Sequence, residues 1–214
     1  MKKPSVISFL TTLLLAATIC THGQEPVKDS AGNSLKTGQQ YFIQPVSNKG
    51  GGLVPAAISL RICPLGIVQS LLPSQPGLPV SFKFLSSVTD SIVTISTNVT
   101  IEFKSDSWLF CNKFPKFWEV DESSPSANKE PTILIGGKPE QSNSQFKIEK
   151  AGANTYKLTS LTGTVGATPG IWGIQLVLTN DTAKTLLVEF SKFNKATTST
   201  SRVEKLGIRM FPFY

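Results

Sequence analysis

Val99-Thr100-Ile101-Glu102-Phe103 alternates apolar and polar side chains without a break, and that period of two decides the fold class. Successive side chains of a strand point to opposite faces, so Val99, Ile101 and Phe103 share one face and Thr100 and Glu102 the other. Working outward, short β-branched and aromatic runs recur on both sides. Tyr41–Val46, Ala57–Ile62 and Ile92–Ser96 precede it, and Trp118–Val120, Thr132–Ile135, Phe146–Ile148, Tyr156–Leu158, Ile174–Thr179 and Leu186–Phe190 follow. Gly, Pro, Ser and Asn break these runs at intervals of roughly 8–15 residues, the punctuation of strands and turns. Nothing between Gln24 and Phe190 keeps the i, i+3, i+4 apolar spacing of a long helix. About ten or more short strands of this kind predict an all-β barrel or sandwich in one domain.

The start of the chain reads differently. Lys2 and Lys3 precede the apolar run Phe9–Ile19, and small residues follow at Thr21 and Gly23. That is the three-part form of a secretory signal peptide. Its run of eleven residues is well short of the roughly 20 that a membrane-spanning helix needs. Residues 1–23 are therefore expected to be removed, leaving a secreted chain that begins near Gln24, extracellular or vacuolar, with no membrane contact. The remaining 214 − 23 = 191 residues carry 19 Lys and Arg against 14 Asp and Glu. The cations are scattered among acids and form no dense basic block, so the surface excludes nucleic acid as a partner. Residues 193–214 form a less regular tail, and its apolar end, Leu206–Tyr214, is expected to supply a closing strand or an appendage.

Processing also removes most of the reactive chemistry. The single histidine, His22, and one of three cysteines, Cys20, leave with the leader. Without histidine no Ser-His-Asp or Cys-His arrangement can form, and two cysteines cannot make a four-thiolate zinc site. No metal and no cofactor is expected. The carboxylates Glu102, Asp106, Glu119, Asp121 and Glu122 are the only cluster fit for acid–base hydrolysis, and acids on strand ends and loops are more often solvated. The expectation is a protein that is not an enzyme. Cys63 and Cys111, 48 positions apart, point to one disulfide in an exported chain, with free thiols or an intermolecular bridge as alternatives. Asn98-Val99-Thr100 and Asn180-Asp181-Thr182 are acceptor triplets for N-linked glycans, placing candidate modifications at Asn98 and Asn180.

One pattern is more specific. Val27-Lys28-Asp29, Gly32-Asn33, Leu35, Gly38 and Tyr41-Phe42-Ile43 together resemble the N-terminal signature of the plant Kunitz-type protease inhibitors, the soybean trypsin inhibitor family that includes miraculin-like proteins. The likeness continues in Cys63-Pro64-Leu65 with Ile67-Val68-Gln69, in Gly77-Leu78-Pro79-Val80, and in Cys111 followed by Trp118-Glu119-Val120. Phe146-Lys147-Ile148 and Tyr156-Lys157-Leu158 are similar to later strands. The resemblance spans the domain at residues 24–192 and fades beyond it. It implies a β-trefoil, a twelve-stranded barrel with pseudo-threefold symmetry and a hairpin cap.

It also implies a function: inhibition of a secreted or digestive protease, serine class favoured and cysteine class possible, by a monomer through one exposed loop. That loop falls between Val80 and Ser91. Its reactive residues are Lys83, Phe84, Leu85, Ser86, Ser87 and Val88, and counting from Gly77 puts the specificity side chain at Leu85, with Lys83 and Phe84 the nearest alternatives. A competing reading makes Phe82 and Phe84 barrel residues and confines the loop to Ser86–Asp90. Three features depart from the family: no cysteine in the C-terminal half, no arginine in the loop, and Thr37 at the position of the loop-bracing asparagine. They weaken trypsin inhibition specifically and leave open a trefoil that is not an inhibitor and binds a carbohydrate, receptor or other protein, or serves as storage protein. A third reading, a hydrolase, would rest on one carboxylate such as Glu119.

Overall fold

A computed structural model of the chain describes residues 24–47, 50–60, 62–85, 91–105, 111, 113–123, 130–170 and 173–194. Among these described residues the regular structure comprises twelve strands and two single 3₁₀ turns. The strands are β1 Gln40–Pro45, β2 Leu53–Ala56, β3 Gly66–Gln69, β4 Val80–Lys83, β5 Asn98–Phe103 and β6 Phe117–Val120. The second half adds β7 Ile133–Gly137, β8 Phe146–Lys150, β9 Tyr156–Ser160, β10 Gly163–Gly170, β11 Gly173–Thr179 and β12 Leu187–Lys192. They pair in the order β10-β11-β3-β7-β6-β5-β4-β1-β12-β9, and a further pairing of β9 with β10 closes ten of them into a ring. β8 spans from β9 to β5, and β2 lies on β3. Closure leaves the barrel strands without free edges.

In β5 Val99, Ile101 and Phe103 are fully buried as expected, but Thr100 of the opposite face is buried too, and only Glu102 keeps part of its surface. Inward-facing aromatics fill the barrel in two linked groups. Tyr41, Phe82, Phe190 and Tyr156 follow one another with ring centroids 6.2, 5.5 and 5.4 Å apart. Phe103, Trp118 and Phe146 form the other, at 5.7 and 6.1 Å. These spacings suit tilted and edge-to-face rings, which gain beyond the area they bury.

The two buried tyrosines also find polar partners. The Tyr156 hydroxyl accepts from Lys28 N at 2.8 Å and the Tyr41 hydroxyl accepts from Lys36 N at 2.9 Å, so each end of the segment 28–36 is tied to the core. Between them Asp29 Oδ1 accepts from Ala31 N and Asn33 N, and Gly32 takes the left-handed conformation at φ 83°. The Val-Lys-Asp and Gly-Asn pieces of the sequence signature are therefore one carboxylate-stapled turn.

Three details differ from the sequence expectation. The described residues of Ala57–Ile62 form no strand: Leu60 is fully exposed and Ile62 half-exposed, so the alternation there does not bury a face, and the strands lie to either side of it. Ile92–Ser96 makes only isolated bridges, Ile92 to Lys36 and Thr94 to Pro26. β10, with the turn-like composition Gly-Thr-Val-Gly-Ala-Thr-Pro-Gly, is the longest strand among the described residues. Its Gly166 is needed by packing, since a Cβ there would stand 2.5 Å from the Thr179 methyl and 2.8 Å from the Lys184 carbonyl. The expected closing strand at Leu206–Tyr214 lies outside the described residues. Cys63 and Cys111 are joined by a disulfide with Cα atoms 5.7 Å apart, which excludes the free-thiol and intermolecular alternatives.

Candidate functional site

β4 carries the chain toward the expected reactive segment and Ser91 receives it on return. β4 is held from two sides. Val80 to Lys83 pair with Phe103 to Thr100 of β5, and Val80 and Ser81 pair with Tyr41 and Gln40 of β1. The Thr100 hydroxyl donates to Lys83 O at 3.4 Å, so the main chain is fixed to the last residue of the strand. Of the residues singled out from the sequence, Lys83, Phe84 and Leu85 are described; Ser86, Ser87 and Val88 lie outside the described residues.

The adjacent pair Thr37-Gly38 joins the two stems of the loop. Thr37 N donates to Ser91 O at 2.9 Å, and Ser91 N donates back to Thr37 Oγ1 at 3.0 Å. Gly38 N donates to Phe82 O at 3.2 Å. Gly38 has φ 78°, where a side chain would be strained. Thr37 is buried, so these bonds form where water competes poorly.

The side chains of the outgoing stem have distinct fates. Phe82 is fully buried in the barrel, between Tyr41 and Phe190. Phe84 is half-buried and packs on the core. Lys83 turns onto the sheet surface: its Nζ stands 2.7 Å from Glu102 Oε2 and 5.1 Å from the centre of the Phe117 ring. Leu85 is 55% exposed. Among the described loop residues Leu85 is thus the large side chain with its surface free.

Glu102 anchors the electrostatics of this stem. Burial pushes its carboxyl up, but hydrogen bonds from Lys104 and Lys83 and their positive charges more than offset that and hold it below the ordinary carboxylate value. Asp106 lies outside the described residues, and among the described ones the other carboxylates do not gather into a catalytic pair. Glu119 is shifted up by burial and by the charge of Asp121, with Lys138 opposing. Asp121 Oδ1 is occupied by Ser123 N at 3.0 Å in a turn. No group of three or more potential metal ligands occurs among the described residues. Asn98 and Asn180 are both exposed, and Asn98 Nδ2 donates to Gln145 Oε1 at 3.2 Å.

Two recesses were not legible in the sequence. One, of about 620 Å³, flanks the loop and is lined by Phe84 and Leu85 together with Gln24, Thr94, Asn98 and Lys147. The other, of about 320 Å³, lies between Gln44–Pro45, Gly50–Gly52 and Pro73–Pro76. Beneath it Gln69 is buried with its Nε2 unpartnered, 3.0 Å from where a Cβ on Gly50 would stand. Both are assembled from residues far apart in sequence, so no local motif announces them.

The closed ring of strands thus ties Phe82 and Ser91, on either side of residues 86–90, to the adjacent pair Thr37-Gly38. The chain belongs to the Kunitz family of trypsin and protease inhibitors, whose pattern matches residues 27–192. It is 64% identical over 213 residues to Kunitz trypsin inhibitor 2 of Arabidopsis thaliana, covering 95% of this chain and 98% of that one. The structure of a water-soluble chlorophyll protein from Brassica oleracea var. botrytis with chlorophyll b is similar at TM-score 0.74 and 56% identity, over 80% of this chain and all of that one. Soybean trypsin inhibitor in its complex with porcine pancreatic trypsin is similar at TM-score 0.68 and 25% identity, over 79% of this chain and all of the inhibitor.

Proposed function

We propose that the protein is a secreted inhibitor of a serine-type protease, which it blocks with the loop between Val80 and Ser91. The single observation that carries this is the double brace: Thr37 bonded to Ser91 on one stem and Gly38 to Phe82 on the other, with Leu85 left exposed between them. A loop already held in one shape loses little conformational entropy when it enters a protease cleft, and a cleft-filling side chain supplies the central anchor. Leu85 is that anchor, and its apolar chain suits a chymotrypsin- or elastase-like pocket. Lys83, whose charge is paired with Glu102, is the alternative anchor and would have to give up that ion pair. The twelve strands, ten of them in a closed ring, are read as the β-trefoil of the family, carried beyond a signal peptide at 1–23.

The test is inhibition of trypsin, chymotrypsin, elastase, subtilisin and a papain-like protease by the mature chain and its Leu85→Arg variant. Tight inhibition of chymotrypsin or elastase that moves toward trypsin in Leu85→Arg supports the reading. Absence of inhibition, with the loop cut during incubation, overturns it.

A second reading is carriage of a flat pigment. Its support is the 56% identity to a protein solved with chlorophyll b and the recess at Gly50–Gly52, which has an unpartnered buried amide behind it. That recess would take one edge of a macrocycle, and Gln69 Nε2, buried behind Gly50, would reach a ring substituent only if the Gly50–Gly52 segment shifted. Co-elution of chlorophyll b with the protein, reduced in Gln69→Leu, would favour this reading; a pigment-free protein peak would end it.

A further inference from the structure

We propose that Gln24, once freed as the N-terminal residue, closes to pyroglutamate, and that the hydroxyls of Thr94 and Thr97 assist the step. The inference rests on cleavage after Gly23 and is independent of whether the loop inhibits a protease. Gln24 Oε1 accepts from Thr94 Oγ1 at 2.8 Å and from Thr97 Oγ1 at 2.9 Å. The two hydroxyls stand 2.7 Å from each other. Each has a single proton, so at any moment one donates to Gln24 while the other donates to it or to its neighbour.

The main chain just after Gln24 is registered on the same turn. Ile95 N donates to Glu25 O at 2.9 Å, Pro26 bridges Thr94, and Val27 N donates to Val93 O at 2.9 Å. Lys150 pairs with the Glu25 carboxylate. Carboxamide and backbone are therefore both fixed, while Gln24 itself stays exposed at the rim of the recess beside Leu85.

In the cyclisation the neutral α-amino nitrogen attacks Cδ and negative charge develops on Oε1. Hydroxyl donors aimed at that oxygen stabilise the developing charge without having to reorganise. The N–Cδ bond forms, the Cδ–Nε2 bond breaks, one proton passes from the α-nitrogen to Nε2, and ammonia leaves into solvent. The lactam carbonyl is the same oxygen that the threonines already hold. The product carries no terminal cation, so the flank of the loop loses one positive charge.

Two measurements test this. The full precursor is secreted from a eukaryotic host and its N-terminal peptide analysed by mass: the expected peptide begins at residue 24 and is lighter by one ammonia. In parallel, chain released from a cleavable tag with Gln24 exposed is followed for ammonia loss, folded and in urea, alongside Thr94→Val/Thr97→Val. Folded wild type should cyclise several-fold faster than the variant and than the unfolded chain. A secreted peptide that starts elsewhere or keeps its amine overturns the modification. Equal rates in all three chains overturn the role of the threonines.

Discussion

Thr37 and Ser91, separated by 54 positions in sequence, exchange two hydrogen bonds, main chain to main chain at 2.9 Å and main chain to hydroxyl at 3.0 Å. The pair fixes the returning stem, and the next residue, Gly38, reaches Phe82 on the outgoing one. Replacing Thr37 with Val keeps the shape and removes the acceptor, leaving Ser91 N–H unpaired at a cost of roughly 1–3 kcal/mol. We expect Thr37→Val to be cut in the loop markedly faster by a protease that wild type resists, with a small fall in melting temperature. Unchanged cleavage would show that the brace does not limit loop motion.

Gly38 bears on the same loop through its backbone. At φ 78° with nothing within 4 Å of a built Cβ, Gly38→Ala meets no clash and only the left-handed strain, about 1–2 kcal/mol. The expected result is destabilisation of that size by denaturant titration. A neutral effect would mean that the backbone relaxes at this position.

How far the sequence disclosed this arrangement depended on whether the signal was local. The alternation at Val99–Phe103 predicted a strand and its apolar buried face, though not that Thr100 on the other face is buried as well. Asp29 and Gly32 were visible as a signature, but their job, a turn between two tyrosine-held ends, appeared only with Tyr41 and Tyr156 in place. Ala57–Ile62 misled because alternation specifies a face and not a partner, whereas β10 was hidden because its glycines are demanded by close neighbours, as at Gly166. Phe82 was open between loop and core, and its place between Tyr41 and Phe190 decides for core. Lys83 could not be assigned from sequence either, since its partner Glu102 lies on another strand.

Phe82 itself makes a clean test of that assignment. It is fully buried with rings on both sides, so Phe82→Ala should cost about 3–5 kcal/mol, the range for an aromatic removed from a core. A loss under about 1 kcal/mol, the scale of surface substitutions, would return Phe82 to the loop.

Glu102 and Glu119 should respond to acid in opposite senses. Glu102 is held below its ordinary value of 4.5, so its contribution is present above that value and is lost as pH falls through the lower folded value. Glu102→Gln should therefore be less stable than wild type at neutral pH, by about 1 kcal/mol because both lysine partners are part-exposed, and equal to it in strong acid. Glu119 is raised above 4.5; below 4.5 both states are protonated, and the penalty appears as pH climbs through the folded value. Glu119→Gln should be the more stable protein at neutral pH and lose that advantage in acid. Melting curves from pH 2 to pH 8 would read both, and parallel profiles for the two variants would contradict the assignment.

The disulfide separates stability from function. Cys63 and Cys111 enclose 48 positions, a span containing β3, β4, the loop and β5, and closing a loop of that length is worth roughly 4 kcal/mol in the chain-entropy model, often less in practice. Yet among the described residues the bonds that brace the stems run elsewhere than the cysteines: Thr37 reaches Ser91, Gly38 reaches Phe82, and Thr100 reaches Lys83. Cys63→Ser/Cys111→Ser should melt many degrees lower while keeping, below its new midpoint, the protease affinity of the parent. If affinity falls at temperatures where the variant is still folded, the bridge shapes the loop directly, and the brace at Thr37 and Gly38 is insufficient by itself.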